Sequence, residues 1–86
     1  MPRISEFFGI IVAMYYNDHA PPHFHAIYAE HQVTLNIETL EILEGSLPRR
    51  ALSMVLEWAE EHRQELRNNW DLARQNLPLE RVAPLT

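Results

Sequence analysis

The period of the hydrophobic pattern changes once along this chain, near Gly45, and that change restricts the fold more than any other feature. Before it, in the stretch QVTLNIE at residues 32–38, Val33, Leu35 and Ile37 alternate with Thr34, Asn36 and Glu38. A period of two is the signature of a strand with one buried face. After it, Leu52, Val55, Leu56 and Ala59 fall at i, i+3, i+4 and i+7, and Leu66, Trp70, Ala73 and Leu77 continue nearly the same stripe. That spacing places them on one side of a helix. Strands followed by helix predict an α+β fold.

The remaining segments fill in this outline. GIIVAMYY at residues 9–16 is apolar at both alternating sets and reads as a strand covered on both faces. Strands are expected at about 9–16, 23–29 and 32–38, and LEILE at residues 40–44 adds a short fourth. Loops this short favour an antiparallel meander of three to four strands. Ser46 is the candidate helix cap and Pro48 sits at the first turn, so one long C-terminal helix, or two in near line, runs from about 48 to 76 and packs on one face of the sheet. Pro78 and Pro84 leave residues 77–86 as an extended tail. The 86 residues make a single domain, 1–86.

Charge narrows the function classes. The chain has seven arginines, no lysine and twelve acids, a net charge of −5, and no cysteine for a thiolate site or a disulfide. A nucleic-acid binder ordinarily presents a basic field, so any such role here depends on a local arginine patch. The N-terminus carries no cleavable signal pattern, and the apolar run of residues 7–16 is too short to cross a bilayer. A cytoplasmic protein with no membrane association is the expectation.

Three of the five histidines lie within NDHAPPHFHAIY, residues 17–28. With a two-residue turn at Glu30-His31, Phe24, Ala26 and Tyr28 would face Ile37, Leu35 and Val33 on the core side. The other side would pair His23 with Glu38 and His25 with Asn36. A loop at residues 17–22 would then set Tyr16 opposite His23 and Met14 opposite His25. Val12, Met14 and Tyr16 would line the histidine face, and Ile11, Ala13 and Tyr15 would face the helix. So apolar a face calls for a cover, whether a second copy, a partner chain or the C-terminal tail, and the chain is expected not to be a monomer.

The runs MPRISEFFGIIVAMYYNDHAPPHFHAIY, IETLEILEGSLPRRAL and LEWAEEHRQELRNNWDLA resemble a widespread bacterial family catalogued as a domain of unknown function. Its hallmark, Asp-His-x-Pro-Pro-His-Phe-His, is matched by Asp18, His19, Pro21, Pro22, His23, Phe24 and His25 without departure. The resemblance covers nearly the whole chain. It implies a partnership with a second small protein, in an arrangement similar to toxin–antitoxin pairs.

Two chemical readings stand beside a purely structural turn. His23 and His25 on one strand face could hold a divalent metal such as zinc, with His19 or Asp18 as third ligand; without one, no cofactor is called for. Alternatively the two histidines act as acid and base on RNA, with Arg49 and Arg50 holding phosphate at the start of the helix, where cations oppose the helix dipole. Tyr16, Asn36 and Glu38 would line that site. The leading expectation is therefore one component of a toxin–antitoxin-like pair, an RNA-targeting toxin if it is an enzyme, acting as a metal-independent ribonuclease through His23 and His25. The alternative is a non-enzymatic interaction or regulatory module whose histidine motif is structural or binds metal at His19, His23 and His25. Arg67 and Asp71, four apart, read as an ordinary surface pair.

Overall fold

The computed structural model describes residues 2–86. Among them, five strands run in sequence as β1 (Arg3–Phe7), β2 (Ile10–Ala13), β3 (His23–Tyr28), β4 (His31–Asn36) and β5 (Ile42–Ser46). They form one antiparallel sheet in the order β1-β2-β3-β4-β5, followed by α1 (Arg49–Glu61) and α2 (Arg63–Arg74). The fold is α+β, but the meander has five strands rather than three or four.

The extra strand comes from a hairpin at Phe8-Gly9. Both residues have positive φ (48° and 80°), the backbone twist that a two-residue hairpin needs. The apolar run therefore splits, and β2 begins at Ile10 instead of continuing unbroken from residue 9 to 16. Between β3 and β4 the turn is Ala29-Glu30, with Ala29 at φ 53°, so Tyr28 pairs with His31. In the next loop Asn36 Oδ1 accepts hydrogen bonds from the backbone N–H groups of Glu38 (2.7 Å) and Thr39 (3.1 Å). β5 follows two residues later than LEILE suggested. Gly45 has φ 76°, and a Cβ there would collide with the Gln32 carbonyl, so only glycine fits.

One sheet face and the helices enclose the core. Ile4, Phe7, Ile10, Val12, Met14, Phe24, Val33, Leu35 and Ile37 meet Ala51, Val55, Trp58, Leu66 and Trp70 in one buried cluster. Trp58 is fully buried between Phe7 (ring centroids 5.5 Å apart) and Phe24 (6.2 Å). The expected placement of the first strand is thus inverted. Ala13, not Met14, pairs with His25, and Val12 and Met14 are fully buried in the core. The open face carries Ile11 and Ile27 beside the histidines, and this removes the basis on which self-association was expected.

The helix divides at His62, whose backbone (φ −122°, ψ 24°) leaves the helical region. Pro48, not Ser46, precedes the first turn of α1, and no side chain caps it. The tail has no regular structure but is fastened. Buried Asn69 exchanges two hydrogen bonds with the Glu80 backbone (2.8 and 2.9 Å), Trp58 Nε1 donates to the Ala83 carbonyl (2.8 Å), and Val82 N–H donates to Ile4 of β1 (2.8 Å). No described helix is long and apolar enough to cross a membrane.

Candidate functional site

The loop between β2 and β3 carries Asp18 and His19, and its position is set by α2. Asn17 N–H donates to the Ala73 carbonyl (3.3 Å), and its side-chain amide donates to Asn76 Oδ1 (2.9 Å). Asp18 is thereby held over the start of β3. Its Oδ1 accepts the His19 backbone N–H at 2.9 Å, and its Oδ2 lies 2.8 Å from His23 Nε2 and 3.7 Å from His25 Nε2. Phe24 points into the core, and its two histidine neighbours stand together with ring centroids 5.3 Å apart. Trp70 of α2 packs against the His23 ring at 5.1 Å, and Tyr15 meets the His25 ring edge-on at 4.6 Å.

Hydrogen bonding distinguishes the two rings. His23 Nδ1–H donates to the Pro21 carbonyl at 2.7 Å, which aims Nε2 at Asp18. His25 Nδ1 has the Thr34 hydroxyl at 3.2 Å and the Gln32 amide at 3.4 Å. Among the described residues its buried Nε2 has no hydrogen-bond partner, since 3.7 Å to Asp18 is too long for one. Burial, and next to it the charge of His23, hold the His25 pKa below the ordinary histidine value, against the opposing pull of Asp18 and Glu44. His25 is therefore neutral near pH 7. Burial works to raise the Asp18 pKa, but hydrogen bonds from His23 and the His19 backbone, with the charges of both histidines, bring it below the usual carboxylate value.

These side chains line a cleft of about 380 Å³, with Tyr15, Pro21, Thr34, Leu43 and Glu44 as the other walls. Leu43 reaches it through a bulge: Thr34 pairs with Glu44 and Leu35 with Ile42, so Leu43 is the extra residue. His25, Thr34 and Glu44 form one row across three strands.

The candidates named from sequence are partly reassembled. His23 and His25 share a site, but their strand partners are Asn36 and Thr34 in place of Glu38 and Asn36. Glu38 instead makes a two-pronged ion pair with Arg67 (2.6 and 2.7 Å), which also replaces the expected Arg67–Asp71 pair. Asn36 holds the following loop. His19 is exposed, with Nδ1 at 3.1 Å from the Ala20 carbonyl, and Asp18 joins His23 and His25 in its place. Tyr15 occupies the cleft and Tyr16 does not; Arg49 and Arg50 lie exposed at the start of α1, outside it. Thr34, Leu43 and Glu44 were missed. The alternation of Thr34 with Val33 and Leu35 could have found Thr34, whereas nothing local marks the bulge.

The Asp18, His23 and His25 ligand atoms all lie within 4.8 Å of one another. A tetrahedral ion with bonds of about 2.0–2.1 Å needs ligand atoms about 3.3 Å apart. The 2.8 and 3.7 Å separations bracket that value.

A family model described as a domain of unknown function (DUF4160) matches residues 9–71, a segment that includes Asp18, His23 and His25. The chain belongs to this family. No curated protein and no solved structure matches it.

Proposed function

We propose that this member of the family binds a divalent transition metal of the zinc class through Asp18, His23 and His25. The observation that carries the reading is His25 Nε2, a buried ring nitrogen without a hydrogen-bond partner among the described residues, 3.7 Å from the Asp18 carboxylate. With its proton on Nδ1 and donated to Thr34, His25 would turn the Nε2 lone pair toward Asp18, and a cation between the two would be coordinated by both. The surroundings suit that role. Each ligating imidazole has its other nitrogen held, His23 by the Pro21 carbonyl and His25 by Thr34, the outer arrangement that fixes metal-bound histidines. Three protein ligands leave a fourth position toward the cleft. We place this activity in the cytoplasm, in one component of a two-protein pair similar to a toxin and its antitoxin.

A second reading keeps the histidines as a metal-free acid–base pair acting on RNA. The observation favouring it is their asymmetry, since His25 is held neutral as a base while Asp18 faces His23 as the acid. Against it, Asp18 blocks His23 Nε2, the cleft walls hold Asp18 and Glu44 but no arginine, and phosphate would be repelled. Metal binding is the reading we adopt.

Cobalt(II) titration of the purified full chain, followed by visible absorption, tests it. A 1:1 endpoint with the intense bands of four-coordinate cobalt is expected, displaced by zinc. Asp18→Ala, His23→Ala and His25→Ala should each abolish the bands while circular dichroism shows a folded chain, and His19→Ala should retain them. Full binding by folded His25→Ala would refute the assignment.

A further inference from the structure

The two edges of the sheet are treated differently. At β1 the chain covers its own edge: Val82, 4% exposed, donates to Ile4, and Asn69 clamps the adjacent Glu80 backbone. At β5 no described segment covers it. All five residues of β5 are exposed, and among the described residues no hydrogen bond reaches its outer side. Ile42 and Leu43 are 49% and 45% exposed. A free edge is ordinarily protected by charged side chains, lysine above all, by proline or by a bulge. β5 has the Leu43 bulge and its glutamates, but from residue 31 to residue 47 the chain has no lysine, proline or arginine. Its charges there are Glu38, Glu41 and Glu44, and among the described residues only Glu38 has an ion-pair partner.

We propose that β5 is a docking edge for an extended, positively charged segment of a partner protein, added to the sheet as a sixth strand. Strand addition supplies backbone hydrogen bonds as the source of affinity, and side chains supply the selectivity. Here the selectivity is electrostatic. Glu41 and Glu44 flank Ile42 and Leu43, so arginine or lysine at the facing positions finds an unpaired carboxylate, while aliphatic residues between them cover the two exposed side chains. The same charges disfavour a second copy on this edge. Antiparallel pairing of β5 with β5 would bring four glutamates together in two chains that each carry −5. The partner segment would also lie beside the histidine cleft, because Leu43 and Glu44 belong to both.

The test uses the ¹⁵N-labelled full chain in EDTA, which separates its outcome from metal binding. The probe is a blocked hexapeptide of alternating arginine and valine. The expected result is shifts and slowed hydrogen exchange confined to the amides of residues 41–46, with affinity falling as salt rises. Two controls should lose binding: the same peptide N-methylated on its pairing edge, and the counterpart with glutamate in place of arginine. Reversing both charges, Glu41→Lys with Glu44→Lys, should weaken binding about tenfold or more, with the fold checked by circular dichroism. The proposal is overturned if millimolar peptide leaves the β5 amides unmoved. It is equally overturned if the N-methylated or acidic peptide binds as well, or if the free chain dimerises with concentration-dependent protection of β5.

Discussion

Replacing Asp18 with alanine should weaken the metal-free protein as well as abolish its metal site, and the size of the effect follows from the contacts. The carboxylate accepts a charge-assisted bond from His23 at 2.8 Å and a backbone bond from His19 at 2.9 Å. Hydrogen bonds to charged groups contribute about 1.5–3 kcal/mol and ordinary ones about 0.5–1.5. Asp18 keeps 19% of its side-chain exposure, so the lower parts of those ranges apply, about 2–3 kcal/mol together. In a domain of this size each kcal/mol moves the melting temperature by about 4–8 °C, giving a loss of about 8–24 °C at pH 7. The pH dependence has a definite sign. The folded-state pKa of Asp18 lies below the ordinary carboxylate value, so the unfolded chain takes up the proton first. The stabilisation is complete above about pH 5, begins to shrink near the unfolded value of about 4, and is lost as pH falls through the folded-state value. Thermal melts in EDTA from pH 7 downward should therefore show the two proteins converging in acid. Zinc at about 100 times its Kd should then stabilise the wild type by about 2.7 kcal/mol and leave Asp18→Ala nearly unchanged. Equal melting temperatures at pH 7, or equal zinc responses, would refute the reasoning.

Three further outcomes follow from the fold. Thr34→Val removes the hydroxyl at His25 Nδ1, and zinc affinity measured by competition should fall about 10- to 100-fold with the fold retained. Gly45→Ala forces a side chain into the Gln32 carbonyl at a positive φ, so urea denaturation should show a loss of at least about 1–3 kcal/mol, with fast amide exchange along β5. Asn69→Ala breaks both bonds to the Glu80 backbone, at a cost of about 2–4 kcal/mol, and limited proteolysis should then cut the tail before the sheet.

Periodicity and composition were enough to establish the α+β class, the antiparallel meander, the C-terminal helices and the core positions Phe24, Val33, Leu35, Val55 and Leu66. They also brought His23 and His25 to one side with Phe24 on the other, because strand side chains alternate whatever the partner strand. Register was another matter. The β3–β4 pairing differs from expectation by two residues, which changes the neighbours of His23 and His25 but keeps their face. The β2–β3 pairing differs by one, which sends Val12 and Met14 to the core and Ala13 and Tyr15 to the histidines. Phe8 at a positive φ gave no turn signal, so the first hairpin was hidden in an apolar run. Asp18 could be named as a candidate from its place in the motif. Its choice over His19 came from α2, which pins Asn17 and so orients the loop. Local sequence determines which way a side chain alternates. Which strand lies beside it, and which loop residue closes over it, depends on contacts between segments far apart in the chain, and only the folded sheet and helices decide those.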